Sequence, residues 1–125
     1  MKLVNNLCNQ TILFATIEAL SFADASGIDL EVAYEVLSRT NANNGHLLST
    51  VKERVFTGEF TGGFKLSLAY KDIGLALGAA NVAGAAAPVS GASLQAAALA
   101  IIGGEGDSDS SGYFRWLQNN HVSPQ

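Results

Sequence analysis

The residues best suited to chemistry stand at the very start of the chain. Lys2, Asn5, Asn6 and Asn9 follow i, i+3, i+4 and i+7 spacing, which places them in one stripe on a helix that is otherwise mostly apolar. A lysine among side-chain amides can exchange a proton with a substrate oxygen while the amides hold the substrate. The same stripe is also typical of a solvated helix edge, so the spacing leaves a cleft-lining and a solvent-facing interpretation open.

A second charged group lies in the middle of the chain. Lys71 and Asp72 are the last charged residues before a stretch over 73–104 that carries no charge at all. A charged pair on a helix is usually its solvent-facing side, and the pair alone does not distinguish that role from a binding role.

The sequence offers little for metal or phosphate binding. His46 and His121 have no cysteine or carboxylate at ligand spacing, so we predict no metal site. Asp107 and Asp109 resemble calcium ligands, but the loop lacks an acidic residue in the twelfth position, and we predict an exposed turn there. Neither a glycine-rich dinucleotide motif nor a phosphate loop is present.

The composition is that of one folded domain. Of the 125 residues 48% are hydrophobic and only 14% are charged, which excludes an intrinsically disordered chain. A net charge of −4 without a basic patch argues against a nucleic-acid partner. The single cysteine, Cys8, lies in an apolar run, so we predict a small buried hydrophobic residue in a protein of the reducing cytoplasm.

We expect neither a signal peptide nor a membrane span. Asn5, Asn6 and Asn9 interrupt the first apolar segment. The uncharged stretch over 73–104 is rich in alanine and is broken at Pro88, so each half is too short to cross a bilayer. Two closely packed helices explain this stretch better.

Helical periodicity runs through the whole chain, and no segment alternates as a strand would. The pattern predicts an all-α domain over 1–125. Gly27 is suited to end the first helix and Asp29 to cap the second. The first helix is apolar on nearly all sides and is expected at the centre of a bundle or at an interface. The six predicted helices cover 2–25, 29–38, 46–54, 65–83, 88–102 and 110–118, and residues 121–125 are expected to fray.

Two motifs in the right order resemble a known family. K-L-V-N-N at 2–6 resembles the K-x-x-N-N signature that opens the C-terminal helical domain of the β-hydroxyacid dehydrogenases, which are related to 6-phosphogluconate dehydrogenase. F-T-G-G-F at 60–64, followed by K-D-I-G-L-A-L at 71–77, resembles the family's second motif. The agreement in order and spacing extends over about 2–118, and it implies the helical bundle of those C-terminal domains.

The resemblance also implies roles for particular residues. Lys2 would be the general acid/base at the substrate oxygen during hydride transfer. Asn6 would contact the substrate and orient that lysine, with Asn5 in support. Lys71, with Asp72 beside it, would reach a nicotinamide cofactor, either NAD or NADP, without any metal.

The resemblance covers only part of such an enzyme. The family's Rossmann domain, which binds the dinucleotide, has no counterpart in these 125 residues. We therefore expect the substrate-binding and catalytic domain of a dehydrogenase acting on a small hydroxyacid or semialdehyde, a homodimer that is inactive without the Rossmann domain. The alternative is a non-catalytic helical module for dimerisation or interaction.

Overall fold

The structure is a computed structural model that describes residues 1–123. Six helices make up the domain, and within the described residues no strand is formed beyond one isolated bridge between Lys65 and Asp109. Five are α-helices and the third in chain order is π-helical. Their bounds are α1 Lys2–Ala25, α2 Leu30–Ser38, the π-helical segment Leu47–Val55, α3 Leu66–Val82, α4 Pro88–Ala100 and α5 Tyr113–Asn119. A short π-helical turn, Ile101–Glu105, continues α4.

Local signals fix the ends of the first two helices as predicted. Gly27 takes a φ of 78°, a left-handed conformation that glycine adopts without steric cost, and the chain leaves α1 there. The carboxylate of Asp29 accepts hydrogen bonds from the amides of Glu31 and Val32, which caps α2. Pro88 occupies the first turn of α4, where its missing N–H is not needed.

Helix α1 is the central helix, because it packs against each of the other four α-helices. The side chains of Phe14, Ile17 and Leu20 are almost completely buried, and Leu66 and Ile73 of α3 are buried in the same core. Burial of this kind stabilises a domain by about 25 cal/mol for each Å² of apolar surface removed from water. None of the described helices combines the length and the apolarity needed to cross a membrane.

The prediction for Cys8 was wrong, since this side chain is exposed. The buried positions of α1 begin only at Gln10, so the first two turns of the helix project beyond the core. An apolar residue type in that segment is therefore no sign of burial.

The prediction of an exposed turn at Asp109 was also wrong. Asp109 is 8% exposed, and Ser110 and Ser111 are buried beside it. These residues form the start of a short 3₁₀ turn, Ser110–Gly112, which leads directly into α5. Asp107 alone fits the prediction, with a side chain that is 96% exposed.

The expected fraying at the C-terminus is seen only in part. Residues 121–123 follow α5 without regular structure, but the ring of His121 bonds the hydroxyl of Ser21 on α1 at 2.9 Å. Pro124 and Gln125, which belong to the same prediction, lie outside the described residues.

Candidate active site

One polar cleft of about 370 Å³ opens beside the first half of α1. This volume is in the range of pockets that hold small molecules. Its walls come from α1, the π-helical segment, the loop over 60–64, α3 and the turn at 109–110. The residues that line it are Lys2, Asn6, Asn9, Gln10, Leu13, His46, Thr50, Phe64, Asp72, Asp109 and Ser110.

Three of the five predicted site residues meet in this cleft. Lys2, Asn6 and Asp72 all line it, although Asp72 is on α3 and 70 positions from Lys2 in the sequence. Lys2 is exposed in the first turn of α1, whereas Asn6 and Asp72 are half-buried. The structure therefore places part of the polar stripe on a cleft, where the spacing alone had favoured a solvated edge.

The other two predicted residues lie outside the cleft. Asn5 and Lys71 are both exposed, and neither belongs to its lining. Consecutive residues of an α-helix point about 100° apart, so Asn5 turns away from Asn6 and Lys71 turns away from Asp72. Each pair of adjacent residues, Asn5 with Asn6 and Lys71 with Asp72, thus presents one residue to the cleft and one to the neighbouring surface.

His46 also lines the cleft, and sequence reasoning missed it. The side-chain oxygen of Asn44 accepts the amide of Leu47 at 3.1 Å, while its nitrogen donates to the hydroxyl of Thr16 at 3.0 Å. This pair of bonds ties the start of the π-helical segment to α1. No local pattern marks His46 as a cleft residue, because its place depends on that long-range contact.

Both ring nitrogens of His46 have partners. Nε2 donates to Oδ1 of Asn9 at 2.8 Å, and Nδ1 accepts from the hydroxyl of Thr50 at 3.2 Å. Burial lowers the pKa of His46 from its ordinary value, against the opposing effects of the contact with Asn9 and the negative charge of Asp109. At neutral pH the ring is therefore neutral, with its proton on Nε2.

Gln10 is the second residue that sequence reasoning missed. Its side chain is 7% exposed and its Oε1 atom is fully buried, yet within the described residues nothing donates a hydrogen bond to it. A helical pattern could have found this residue, because Lys2, Asn6 and Gln10 follow i, i+4 and i+8 spacing and so lie on one face.

The loop over 60–64 is held to the turn at 109–111 by a dense set of hydrogen bonds. Oδ1 of Asp109 accepts the amide of Phe64 at 2.8 Å, and the amide of Asp109 donates to the carbonyl of Phe60, also at 2.8 Å. The hydroxyl of Ser110 donates to the carbonyl of Phe64 at 2.9 Å. These bonds place the ring of Phe64 at the edge of the cleft.

Gly63 is required for this approach. Its φ is 67°, and a side chain there would collide with the carboxylate of Asp109. The predicted F-T-G-G-F motif therefore has a physical role, since it lets the loop come close enough to bury Asp109.

The charges on the cleft lining are mixed: Lys2 provides a cation, Asp72 and Asp109 provide carboxylates, and His46 is neutral. Among residues 1–123 no group of three His, Cys, Asp or Glu side chains is arranged to hold a metal ion. The chemistry this lining can perform is proton transfer by a lysine and orientation of a small polar ligand by side-chain amides.

The helical fold also occurs in a solved crystal structure. The crystal structure of 3-hydroxyisobutyrate dehydrogenase from Salmonella typhimurium has the same fold, with a TM-score of 0.85 and 24% identity, over 92% of this chain and 40% of that one. A family model described as the NAD-binding domain of NADP-dependent 3-hydroxyisobutyrate dehydrogenase matches residues 1–117. The chain belongs to this NAD(P)-binding family, as the two motifs had indicated.

Two characterised relatives are also similar over most of this chain. The 3-sulfolactaldehyde reductase of Escherichia coli is 32% identical over 109 residues, which is 87% of this chain and 37% of the reductase. The 2-(hydroxymethyl)glutarate dehydrogenase of Eubacterium barkeri is 27% identical over 124 residues, or 98% of this chain and 41% of the dehydrogenase. The chain thus spans about two fifths of the length of these relatives.

Proposed function

We propose that this chain is the substrate-binding and catalytic domain of an NAD(P)-dependent oxidoreductase, a 3-hydroxyacid dehydrogenase or short semialdehyde reductase. The observation that carries the proposal is the cleft itself. It brings Lys2 and Asn6 from one family motif together with Asp72 from the other. A small hydroxyacid or semialdehyde is the substrate class to which this lining is suited.

Lys2 is the general acid/base in this proposal. In the direction of reduction its ammonium donates a proton to the carbonyl oxygen of the substrate, and in the direction of oxidation the neutral amine takes the proton from the hydroxyl. Its place in the first turn of α1, open to the cleft, is what supports this role.

Asn6 holds the substrate and Asn5 supports it from outside the lining. Asn6 lies one helical turn from Lys2 on the same face, so its amide can bond the oxygen that exchanges its proton with the lysine. Asn5 is exposed on the neighbouring face of α1, where it can contact a domain packed against that face.

Lys71 and Asp72 act toward the cofactor side of the site. Lys71 is exposed, and among residues 1–123 it forms no ion pair, so its ammonium fits an anionic or polar group brought by NAD or NADP. Asp72 lines the cleft next to it and is placed to bond a polar edge of cofactor or substrate. When bound, the nicotinamide cofactor supplies the hydride chemistry.

The proposal includes the partners that such a site requires. A Rossmann domain binds the dinucleotide, and without it this domain alone is inactive, because positioning of the two reactants accounts for about 7–11 kcal/mol of such a reaction. Exposed apolar side chains on α1, among them Val4 at 62% and Phe22 at 75%, are suited to a homodimer or to that domain. We place the protein in the cytoplasm on the evidence of its single free cysteine.

The test combines the chain with a separately produced Rossmann domain of a family member. Oxidation of NADH and NADPH is followed with glyoxylate, tartronate semialdehyde and succinic semialdehyde. We expect turnover only in the mixture, and we expect Lys2→Met to lower it by at least about 100-fold because the proton donor is lost.

Lys52→Met is the matched control, since Lys52 lies over the ring of Tyr34, outside the cleft, and its loss should leave the rate unchanged. Turnover that survives in Lys2→Met would contradict the role of this lysine. A stable homodimer without turnover would favour the alternative, a helical interaction module.

A further inference from the structure

The buried oxygen of Gln10 requires a hydrogen-bond donor that the described chain does not provide. Leaving a buried carbonyl oxygen unpaired is costly, and native proteins rarely do so without a reason. The side chain belongs to the cleft lining, and a rotation of its terminal amide would bring this oxygen within reach of a molecule in the cleft. This atom therefore points to a ligand group that carries an O–H or N–H.

The neighbouring amide of Asn9 restricts which kind of ligand group can bind at this position. Oδ1 of Asn9 is engaged by the ring of His46, and the other side of that ring is fixed by Thr50. The Nδ2 group of Asn9 donates no hydrogen bond within residues 1–123, so it remains available to the cleft. Gln10 thus offers a buried acceptor and Asn9 an adjacent donor.

A hydroxyl group matches this pair better than the other common polar groups. A hydroxyl both donates and accepts, so it can bond Gln10 and Asn9 at once. An ammonium has no acceptor for Asn9, and a carboxylate has no donor for Gln10. The pair therefore distinguishes a hydroxyl from either kind of charged end group.

We propose that Gln10 and Asn9, held by His46, form a second polar subsite that binds a distal hydroxyl of the substrate. This inference rests on the proposed function, because it extends the substrate that Lys2 and Asn6 hold. Gln10 lies one helical turn, about 6 Å, beyond Asn6 along α1. The substrate class is therefore a 3-hydroxy acid, or the matching carbonyl acid, with a further hydroxyl about two carbons past the reacting carbon.

Three five-carbon acids test this subsite on the 125-residue chain itself. They are 3,5-dihydroxypentanoate, 3-hydroxypentanoate and 3-hydroxyglutarate, which share the reacting hydroxyl and differ only at the distal carbon. Binding is followed by NMR through the side-chain amide signals of Gln10 and Asn9. We expect the dihydroxy acid to bind about tenfold more tightly than 3-hydroxypentanoate, which is the size of one net hydrogen bond.

Gln10→Met keeps the length and flexibility of the side chain but removes both polar atoms. We expect it to abolish the preference for the dihydroxy acid while binding of 3-hydroxypentanoate stays unchanged. Gln118→Met is the matched control, because Gln118 is exposed on the last turns of α5 and bonds Asp24 away from the cleft.

The outcomes separate this inference from the proposed function. Equal binding of all three acids, a preference for 3-hydroxyglutarate, or no binding of any acid would overturn the subsite. Binding that depends on Asn6 but not on Gln10 would overturn the subsite and leave the proposed function intact. A preference that requires Gln10, with the affinity for all three acids unchanged in Asn6→Ala and in Lys2→Met, would support the subsite and contradict the proposed function.

Discussion

Two polar regions border the same cleft, and they differ in how completely their groups are paired. In the turn at 109–111, both carboxylate oxygens of Asp109 accept hydrogen bonds, from Phe64 on one side and from Ser111 on the other. On α1, the oxygen of Gln10 has no donor within the described residues and Lys2 has no ion-pair partner there. The carboxylate of the first region is fully paired within the folded chain, whereas the oxygen of Gln10 in the second region would be paired only when a ligand is bound.

This difference separates stability from function. A paired buried network stabilises the chain, whereas an unpaired buried group costs stability and persists where another role requires it. The turn at 109–111 therefore shapes the cleft by fixing Phe64, and the polar face of α1 does the binding. Substitutions in the two regions should accordingly have opposite effects on the free energy of unfolding.

Asp109→Ala should have the largest effect. It leaves the amides of Phe64 and Ser111 without their acceptor in a buried place, and the free energy of unfolding should fall by about 3 kcal/mol. Urea unfolding followed by circular dichroism measures this loss. Asp107→Ala is the control, since Asp107 is almost fully exposed and its 3.8 Å pair with Lys65 contributes little. Equal losses in the free energy of unfolding would show that the buried hydrogen bonds of Asp109 add nothing to stability, and the contrast between the two regions would fail.

Gln10→Met should have the opposite sign. It replaces an unpaired buried amide by an apolar side chain of the same length, so the ligand-free chain should become more stable by about 1 kcal/mol. The same urea titration measures the gain, with Gln118→Met as the exposed reference that should show none. A loss of stability in Gln10→Met would mean that the buried oxygen has a donor in the folded protein, and the contrast between the regions would fail.

How far the sequence could predict these regions depends on the range of the interactions. The caps at Gly27 and Asp29 act over a few residues, and the helix ends they mark were predicted correctly. The bond from Phe64 to Asp109 joins residues 45 positions apart, so Asp109 resembled an exposed loop residue. The contact of His46 with Asn9 spans 37 positions and leaves no trace in local periodicity.

The family motifs pointed to some of the cleft residues that local sequence patterns could not bring together. Lys2, Asn6 and Asp72 were predicted as site residues from the resemblance, and they line one cleft. Gln10 lies outside both motifs, and its significance comes from its burial, which depends on the packing of the whole bundle. The helical pattern can place Gln10 on the same face as Lys2 and Asn6, but only the three-dimensional structure shows that its side chain is buried there.

A pH dependence from His46 should be the smallest of the three stability effects. Burial lowers the pKa of this ring in the folded chain, while the unfolded chain keeps the ordinary value of 6.5. As the pH falls through 6.5 the unfolded chain takes up the proton first, so the stability that His46 contributes is complete above that pH and is lost below it. Urea midpoints should therefore decrease more in the wild type than in His46→Gln when the pH is lowered from about 7.5 to about 5.5.

The same substitution also tests the binding region, because His46 bridges Asn9 and Thr50. It should loosen Asn9 and weaken the preference for a distal hydroxyl, while the turn at 109–111 stays intact. A parallel decrease in both proteins would show that protonation of His46 does not act on the fold, and an unchanged hydroxyl preference would show that Asn9 needs no support from the ring.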